Sequence, residues 1–323
     1  MDSSAAARNT AVTVGRFAPS PSGRMHVGNA FASLMAWLAA RAEGGRMVLR
    51  IEDLDERCRD RAVAETLIDD LAWMGLSWDE GPYWQSARED VYADAFERLE
   101  EQGLVYPCFC SRASLHAATA PHASDGTYVY QRTCRGLSPA EIERRRAERA
   151  PAMRLMVDGA EISFDDAVFG PQHELLERDC GDFVIRRADG VYAYQLACAV
   201  DDALMGITQV VRGNDLLGST ARQMHVQRLL GLPNPGYGHV PLLVAADGRR
   251  LAKRDGDLDL GALRARGITA DRLVGWLGSL AGLVDGGAEL TADELAAHFS
   301  WEKVRACGRQ IVVDAESLSR YDS

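Results

Sequence analysis

No stretch of the 323 residues approaches the roughly 20 uninterrupted apolar residues that span a bilayer. The opening "MDSSAAARNT" has no apolar run that could act as a secretory signal. The expectation is a cytoplasmic chain with no membrane partner. Cysteine is scarce as well: seven, unevenly placed and odd in number, do not make a disulfide framework, so reduced thiols are expected. Positive charge is in deficit, with 36 Lys and Arg against 47 Asp and Glu and a formal net charge of −11. That excludes a protein coated in positive charge but not a local basic patch, which is what a nucleic-acid binder needs. Internal repeats and low-complexity blocks are missing too.

What the sequence has is core material. At 47% hydrophobic and 26% charged, the chain can bury a large interior and has room for about two domains. "VTVGRFA" alternates and is β-branched, and "NAFASLMAWLAARAEGG" carries Phe31, Leu34, Met35 and Leu38 at helical spacing before stopping at Gly44 and Gly45. "RMVLRIED" reads as another strand, so the chain opens on a βαβ unit with a right-handed crossover. Helical patterns follow in "AVAETLIDDLAWMGL" and "ADAFERLEEQGL". Between about 106 and 182 the texture turns to cysteine, proline and aromatic residues, as in an inserted module. Alternation resumes with "DFVIRR", "YAYQLACAVDDALMG", "TQVVRG", "STARQMHVQRLLGL" and "HVPLLV". The fold class expected is α/β: a Rossmann-type parallel sheet split by an insertion, with a mostly helical tail. Within that tail, "DRLVGWLGSLAGLV" reads as an amphipathic helix packed on the core.

The corner "GRFAPSPSGRMHVGN", residues 15 to 29, is stiff and polar. In open α/β sheets, ligands sit at the carboxyl ends of strands, where the next helix offers unpaired N–H groups to an anion. Gly28 would let backbone approach such a ligand and His26 could donate to a phosphate; equally, the segment alone fits a proline-rich connection with a surface histidine.

The surrounding text resembles the glutamyl-tRNA synthetases of class I. "RFAPSPSGRMHVGNA", "LRIEDLDERC", "LAWMGLSWDEGPYWQS", "YQLACAVDDALMGITQVVRGNDLLGST" and "GHVPLLVAADGRRLAKRDG" occur in that order, from residue 12 to about 256. "HVGN" stands where the family has His-Ile-Gly-His, and "RLAKR" stands for Lys-Met-Ser-Lys-Ser. Only residues 255–323 follow Arg254, too few for the family's helical anticodon-binding half. Length therefore points to the short branch, which attaches glutamate to the queuosine base at the wobble position of tRNA(Asp). The implied organisation is a first catalytic half over 1–105, an acceptor-side module with a zinc site over 106–182, a second half over 183–255 and a helical segment over 256–323.

The resemblance implies L-glutamate, ATP with magnesium, and queuosine-containing tRNA(Asp) as partners of a monomer. It puts His26 and Lys253 in the catalytic role, and Gly28, Asn29 and Arg250 beside them at ATP. Arg16 and Arg212 match the carboxylate-binding positions, Glu52 the partner of the ammonium, and Ser20 and Tyr194 neutral hydrogen-bonding positions. Asn29, Arg250, Ala252 and Arg254 depart from the two signatures, and Cys198 replaces the asparagine found four residues after the tyrosine. Loss of that amide is expected to loosen the amino-acid site. Asp201 and Asp202 read as supporting groups. Alternatives remain open: another acceptor, such as a tRNA 3′ end or a small amine, or a catalytically silent synthetase-like binding protein.

Cys108, Cys110 and Cys134, gathered in a turn-rich insertion, suggest a structural zinc, or else three buried free thiols. The short branch's pattern, Cys-x-Cys then Tyr-x-x-x-Cys, implies Tyr130 as fourth ligand; His116 and His122 are the other candidates. Cys58, Cys180 and Cys307 read as packing residues. Arg144, Arg145, Arg146 and Arg149 form either a phosphate-contacting run or a solvated helix laced with Glu141, Glu143 and Glu148.

Overall fold

The computed structural model describes residues 12–111, 129–249 and 259–313. The expected opening unit is present: β1 (Val14–Phe17) leads through the corner into α1 (Val27–Arg41), and β2 (Arg46–Ile51) returns parallel to β1 with Arg16 opposite Val48. A second crossover through α2 (Arg61–Trp73) delivers β3 (Glu80–Trp84) parallel to β2, and α3 (Glu89–Glu101) follows.

The next segment holds β4 (Val105–Cys108), α4 (Pro139–Glu148), β5 (Ala152–Leu155) and the hairpin of β6 (Glu161–Asp166) and β7 (Gly170–Leu175). After the single turn α5 (Leu176–Asp179) comes β8 (Phe183–Arg186). "DFVIRR" thus forms a strand, but β8 pairs antiparallel with β5, which pairs antiparallel with β4. A four-residue apolar run specifies extended backbone without naming its partner. Parallel alternation resumes one step later with α6 (Tyr194–Leu204), β9 (Gln209–Gly213), α7 (Leu217–Leu230), β10 (Gly236–Val240) and β11 (Leu242–Val244).

Two bonds join the halves of the main sheet. Thr208 donates its N–H to the Val14 carbonyl at 3.0 Å, and Val14 donates its own N–H to the Thr208 hydroxyl at 2.9 Å. β10 is parallel to β9, β6 reaches β10 through Asp166 and Tyr237, and β7 pairs antiparallel with β6; joined through those two bonds, the sheets β3-β2-β1 and β9-β10-β6-β7 run side by side. The order reverses between β1 and β9, the position at which a parallel sheet opens a crevice at its carboxyl edge.

The tail comprises α8 (Leu260–Ala265), α9 (Ala270–Leu280), α10 (Ala292–Ala296), α11 (Trp301–Ala306) and β12 (Gln310–Val312), the last paired with β11. It explains why α1 is apolar beyond the stripe its periodicity defines. Phe31, Leu34, Met35 and Leu38 are buried, but so are Ala30, Ala36, Trp37, Ala39 and Ala40. The sheet covers one face of α1, and Leu273, Val274, Leu277, Ala292 and Leu295 share its core from the other. Each large apolar side chain buried there contributes roughly 1.5–3 kcal/mol. Among the described residues, no helix is long and apolar enough to cross a membrane.

Candidate active site

Strand alternation and helical spacing assemble the site. Arg50 and Glu52, two apart at the end of β2, share one side of the strand. On α6, Tyr194, Cys198 and Asp201–Asp202 recur at helical spacing and turn one face toward them. Arg16 on β1 and Arg212 on β9 flank the switch point. The result is a crevice of about 770 Å³ whose walls include Arg16, Ser20, His26, Gly28, Asn29, Glu52, Tyr194 and Arg212. That volume is ordinary for a small-molecule site.

The corner forms the crevice mouth. His26 caps α1 from an extended backbone, and its Nδ1 accepts the Gly28 N–H at 3.1 Å. In the neutral ring this places the proton on Nε2. A Cβ at Gly28 would lie 3.0 Å from His26 Cε1, so glycine leaves room for the imidazole that caps the helix. Glu52 donates its N–H to the Pro19 carbonyl at 3.0 Å, tying the corner to the end of β2.

Behind the crevice lies a buried charge network. Arg50, with no exposure, donates to Asp202 at 2.7 Å and to Glu52 at 3.2 Å. Arg16 Nε lies 3.6 Å from Asp202, and Arg16 Nη1 donates to the Val211 carbonyl at 3.1 Å. Burial alone would raise the Asp202 pKa; the Arg50 and Arg16 guanidinia outweigh it and hold the carboxyl below its ordinary value. Asp201 accepts from Gln85, Arg88 and Tyr92. Both aspartates thus hold protein groups behind the crevice, and neither lines it.

Cys198 donates its S–H to Glu52 Oε1 at 3.0 Å and accepts from Arg50 Nη2 at 3.7 Å. Burial and the Glu52 charge push its pKa well up, which keeps the thiol a donor. Ser20 Oγ lies 3.5 Å from Glu52 Oε2. Arg212 is 5% exposed, with neutral acceptors around its guanidinium: His239, Gln223, Thr220, Tyr194 and the Leu216 carbonyl.

Arg250 and Lys253 lie outside the described residues. The chain that leaves at Arg249 returns at the corner: Asp259 bridges to His26, and Leu260 donates its N–H to the Met25 carbonyl at 2.9 Å. Gly261 admits the Arg24 guanidinium onto α8, where a Cβ would overlap it.

In the cysteine segment, the sulfurs of Cys108, Cys110 and Cys134 lie within 4.8 Å of one another, Cys110 and Cys134 at 3.6 Å. The Tyr130 hydroxyl lies 3.4 Å from Cys108 Sγ and 3.6 Å from Cys110 Sγ and accepts the Cys134 N–H at 2.9 Å. Three sulfurs gathered this closely form a set that could hold a metal ion. His116 and His122 lie outside the described residues.

On α4, Arg144 pairs with Glu141 and Glu148, Arg145 with Glu141, and Arg146 with Glu143. These exposed pairs lace the helix with glutamate and contribute little to stability. Of the three cysteines expected to pack, Cys180 is buried, whereas Cys58 and Cys307 are partly exposed. No motif in the sequence marks Arg50, Asp166 or His239 as a site residue; Asp166 and His239 meet across 73 positions, a contact with no local signal.

Residues 12–312 match the family described as tRNA synthetases class I (E and Q), catalytic domain. The glutamyl-Q tRNA(Asp) synthetase of Symbiobacterium thermophilum is 50% identical over 303 residues, spanning 90% of this chain and 93% of that protein. Glutamate–tRNA ligase 2 of Alkalilimnicola ehrlichii is 45% identical over 276 residues, spanning 82% of this chain but 58% of that one. A crystal structure of a glutamate tRNA ligase from Elizabethkingia meningosepticum, in complex with its amino acid, shares the fold with a TM-score of 0.80 at 24% identity. It covers 96% of this chain and 69% of its own. The chain therefore belongs to the class I tRNA synthetases of the E and Q group.

Proposed function

We propose that the chain activates L-glutamate with ATP to glutamyl-adenylate and transfers the glutamyl group to the queuosine base at the wobble position of tRNA(Asp). The observation that carries this reading is the crevice, where two buried guanidinia, a carboxylate and a phenol gather beside a helix N-terminus capped by an imidazole. The name and near-complete overlap of the Symbiobacterium relative support the acceptor.

In this reading Arg16 and Arg212 take the two carboxylates of glutamate and Glu52 its ammonium, while Ser20 and Tyr194 add neutral hydrogen bonds. His26, Gly28, Asn29, Arg250 and Lys253 serve ATP, which arrives with magnesium. A carboxylate oxygen of glutamate attacks the α-phosphorus, and pyrophosphate leaves with the electron pair of the broken P–O bond. Charge growing on the phosphoryl oxygens meets Lys253, His26 and the N–H groups at the start of α1. An acceptor hydroxyl then attacks the activated carbonyl and AMP departs. An acyl phosphate anhydride is reactive enough that orientation matters more than a strong base.

The domain division at 105, 182 and 255 belongs to the same proposal, as do a cytoplasmic location and a monomeric state. Cys108, Cys110, Tyr130 and Cys134 would hold one zinc ion, which ties together a segment with little core of its own.

Radiolabelled glutamate, ATP and two preparations of tRNA(Asp), with and without queuosine, test the acceptor. Label on the queuosine-containing tRNA alone is expected. Equal labelling of both would move the acceptor to the 3′ end. Absence of glutamate-dependent pyrophosphate exchange would leave a silent binder.

A further inference from the structure

His239, on β10, has no solvent exposure, and its ring stands between two groups of fixed hydrogen-bonding character. On one side Asp166 Oδ2 lies 2.6 Å from Nδ1. Asp166 also accepts the backbone N–H groups of Val168 and Phe169 at 2.9 Å each and that of His239 at 3.1 Å. A carboxylate receiving this many donors is ionised and can only accept. On the other side Arg212 Nε lies 3.0 Å from His239 Nε2, and a guanidinium can only donate. One state of the imidazole satisfies both neighbours: neutral, with its proton on Nδ1 and a lone pair on Nε2. The Thr220 hydroxyl, 3.3 Å from Nε2 and 2.9 Å from Arg212 Nη2, closes a ring of bonds around the same edge.

The bonds of Arg212 fall into two groups. Those of 3.0 Å or less go to His239, Gln223 and Thr220, none of which lines the crevice. The longer ones, 3.4 Å to Tyr194 and 3.3 Å to the Leu216 carbonyl, go to residues that do. The guanidinium is thus gripped from behind by short bonds, and its crevice side makes the long bonds that a bidentate carboxylate would replace.

We propose that His239, fixed in one tautomer by Asp166, is a positioning residue that aims Arg212 at a carboxylate of the amino-acid substrate. The inference rests on the reading of Arg212 as a carboxylate binder. It also connects the β6–β7 hairpin to the amino-acid site, because Asp166 closes β6. Burial supports it by pushing the imidazole pKa down to about 4 against the opposing pull of Asp166, so the ring stays a neutral acceptor.

The test uses the full chain and glutamate-dependent pyrophosphate exchange. His239→Phe keeps a flat ring but removes the acceptor. It is expected to raise KM for glutamate about 10- to 100-fold, the loss of one hydrogen bond to a charged group, with kcat and KM for ATP nearly unchanged. His239→Gln, which restores an acceptor oxygen, should recover much of that loss. Equal loss in both KM values, or an unchanged glutamate KM in a folded His239→Phe protein, would overturn the proposal.

Histidine-selective ¹⁵N spectra of the wild-type chain need no variant to fold. A protonated Nδ1 and an unprotonated Nε2 that shifts on glutamate addition are expected; a proton on Nε2 overturns the idea. A wild-type chain with no exchange activity but the expected tautomer would refute the functional reading and the proposed role of His239 in substrate binding, while leaving the Asp166–His239–Arg212 geometry intact.

Discussion

Arg50 is sealed from water, and its charge is tolerable because Asp202 and Glu52 stand within hydrogen-bonding distance. Removing one partner of such a set strands the other. Asp202→Ala is therefore expected to destabilise the fold by about 3–5 kcal/mol, measured as the shift in urea midpoint at constant slope. A change below about 1 kcal/mol, the scale of an exposed pair, would mean that water reaches the network. His239 gives a second residue-level prediction. Its pKa is about 4 in the fold against an ordinary 6.5, so between those values the unfolded chain binds the extra proton. This contribution to stability is complete above about 6.5 and is lost as pH falls toward about 4, at up to ~1.4 kcal/mol per unit. The groups around the ring are Asp166, Arg212, Arg16 and Tyr237. Buried His225 adds a loss of the same sign. Urea midpoints at pH 5 and pH 7 should differ less in His239→Gln than in the wild-type chain.

At the scale of elements, the N-terminus of α1 sets the geometry on which phosphate chemistry depends. Gly28→Ala should favour helix by up to about 1 kcal/mol while crowding His26 Cε1. The expected outcome is slower pyrophosphate exchange in a protein that melts no earlier than the wild type; unchanged exchange would show that the imidazole tolerates displacement. Much of this element was legible from sequence: the stop at Gly44 and Gly45, the apolar stripe and the His26 corner. Its additional buried face was not, because it is covered by α9 and α10, more than 200 residues downstream. Strand partners were hidden for the same reason, as β8 illustrates by pairing with β5 outside the parallel sheet. Arg16, Glu52, Tyr194 and Arg212, which motifs mark in the sequence, all line the crevice. Asp166 and His239 escaped notice because hydrogen bonds between distant strands leave no periodicity to read.

For the whole molecule, the separate cluster of Tyr106, Cys108, Phe109, Tyr130 and Cys134 is small, which is why a cross-linking ion would matter there. Treatment with a chelator is expected to release one zinc per chain and lower the melting temperature, and Cys110→Ser should do the same without chelator. Purified chain with no metal by elemental analysis, and melting unaffected by chelation, would remove zinc from the account. At the switch point, buried guanidinia and a capped helix start face one crevice built to take an amino acid and a nucleotide. The most direct measurement is amino-acid-dependent exchange of labelled pyrophosphate into ATP without tRNA. The account predicts saturable exchange with L-glutamate, far weaker exchange with L-aspartate or L-glutamine, and loss of exchange in Arg212→Met. No exchange with any amino acid, or equal exchange with all three, would contradict it.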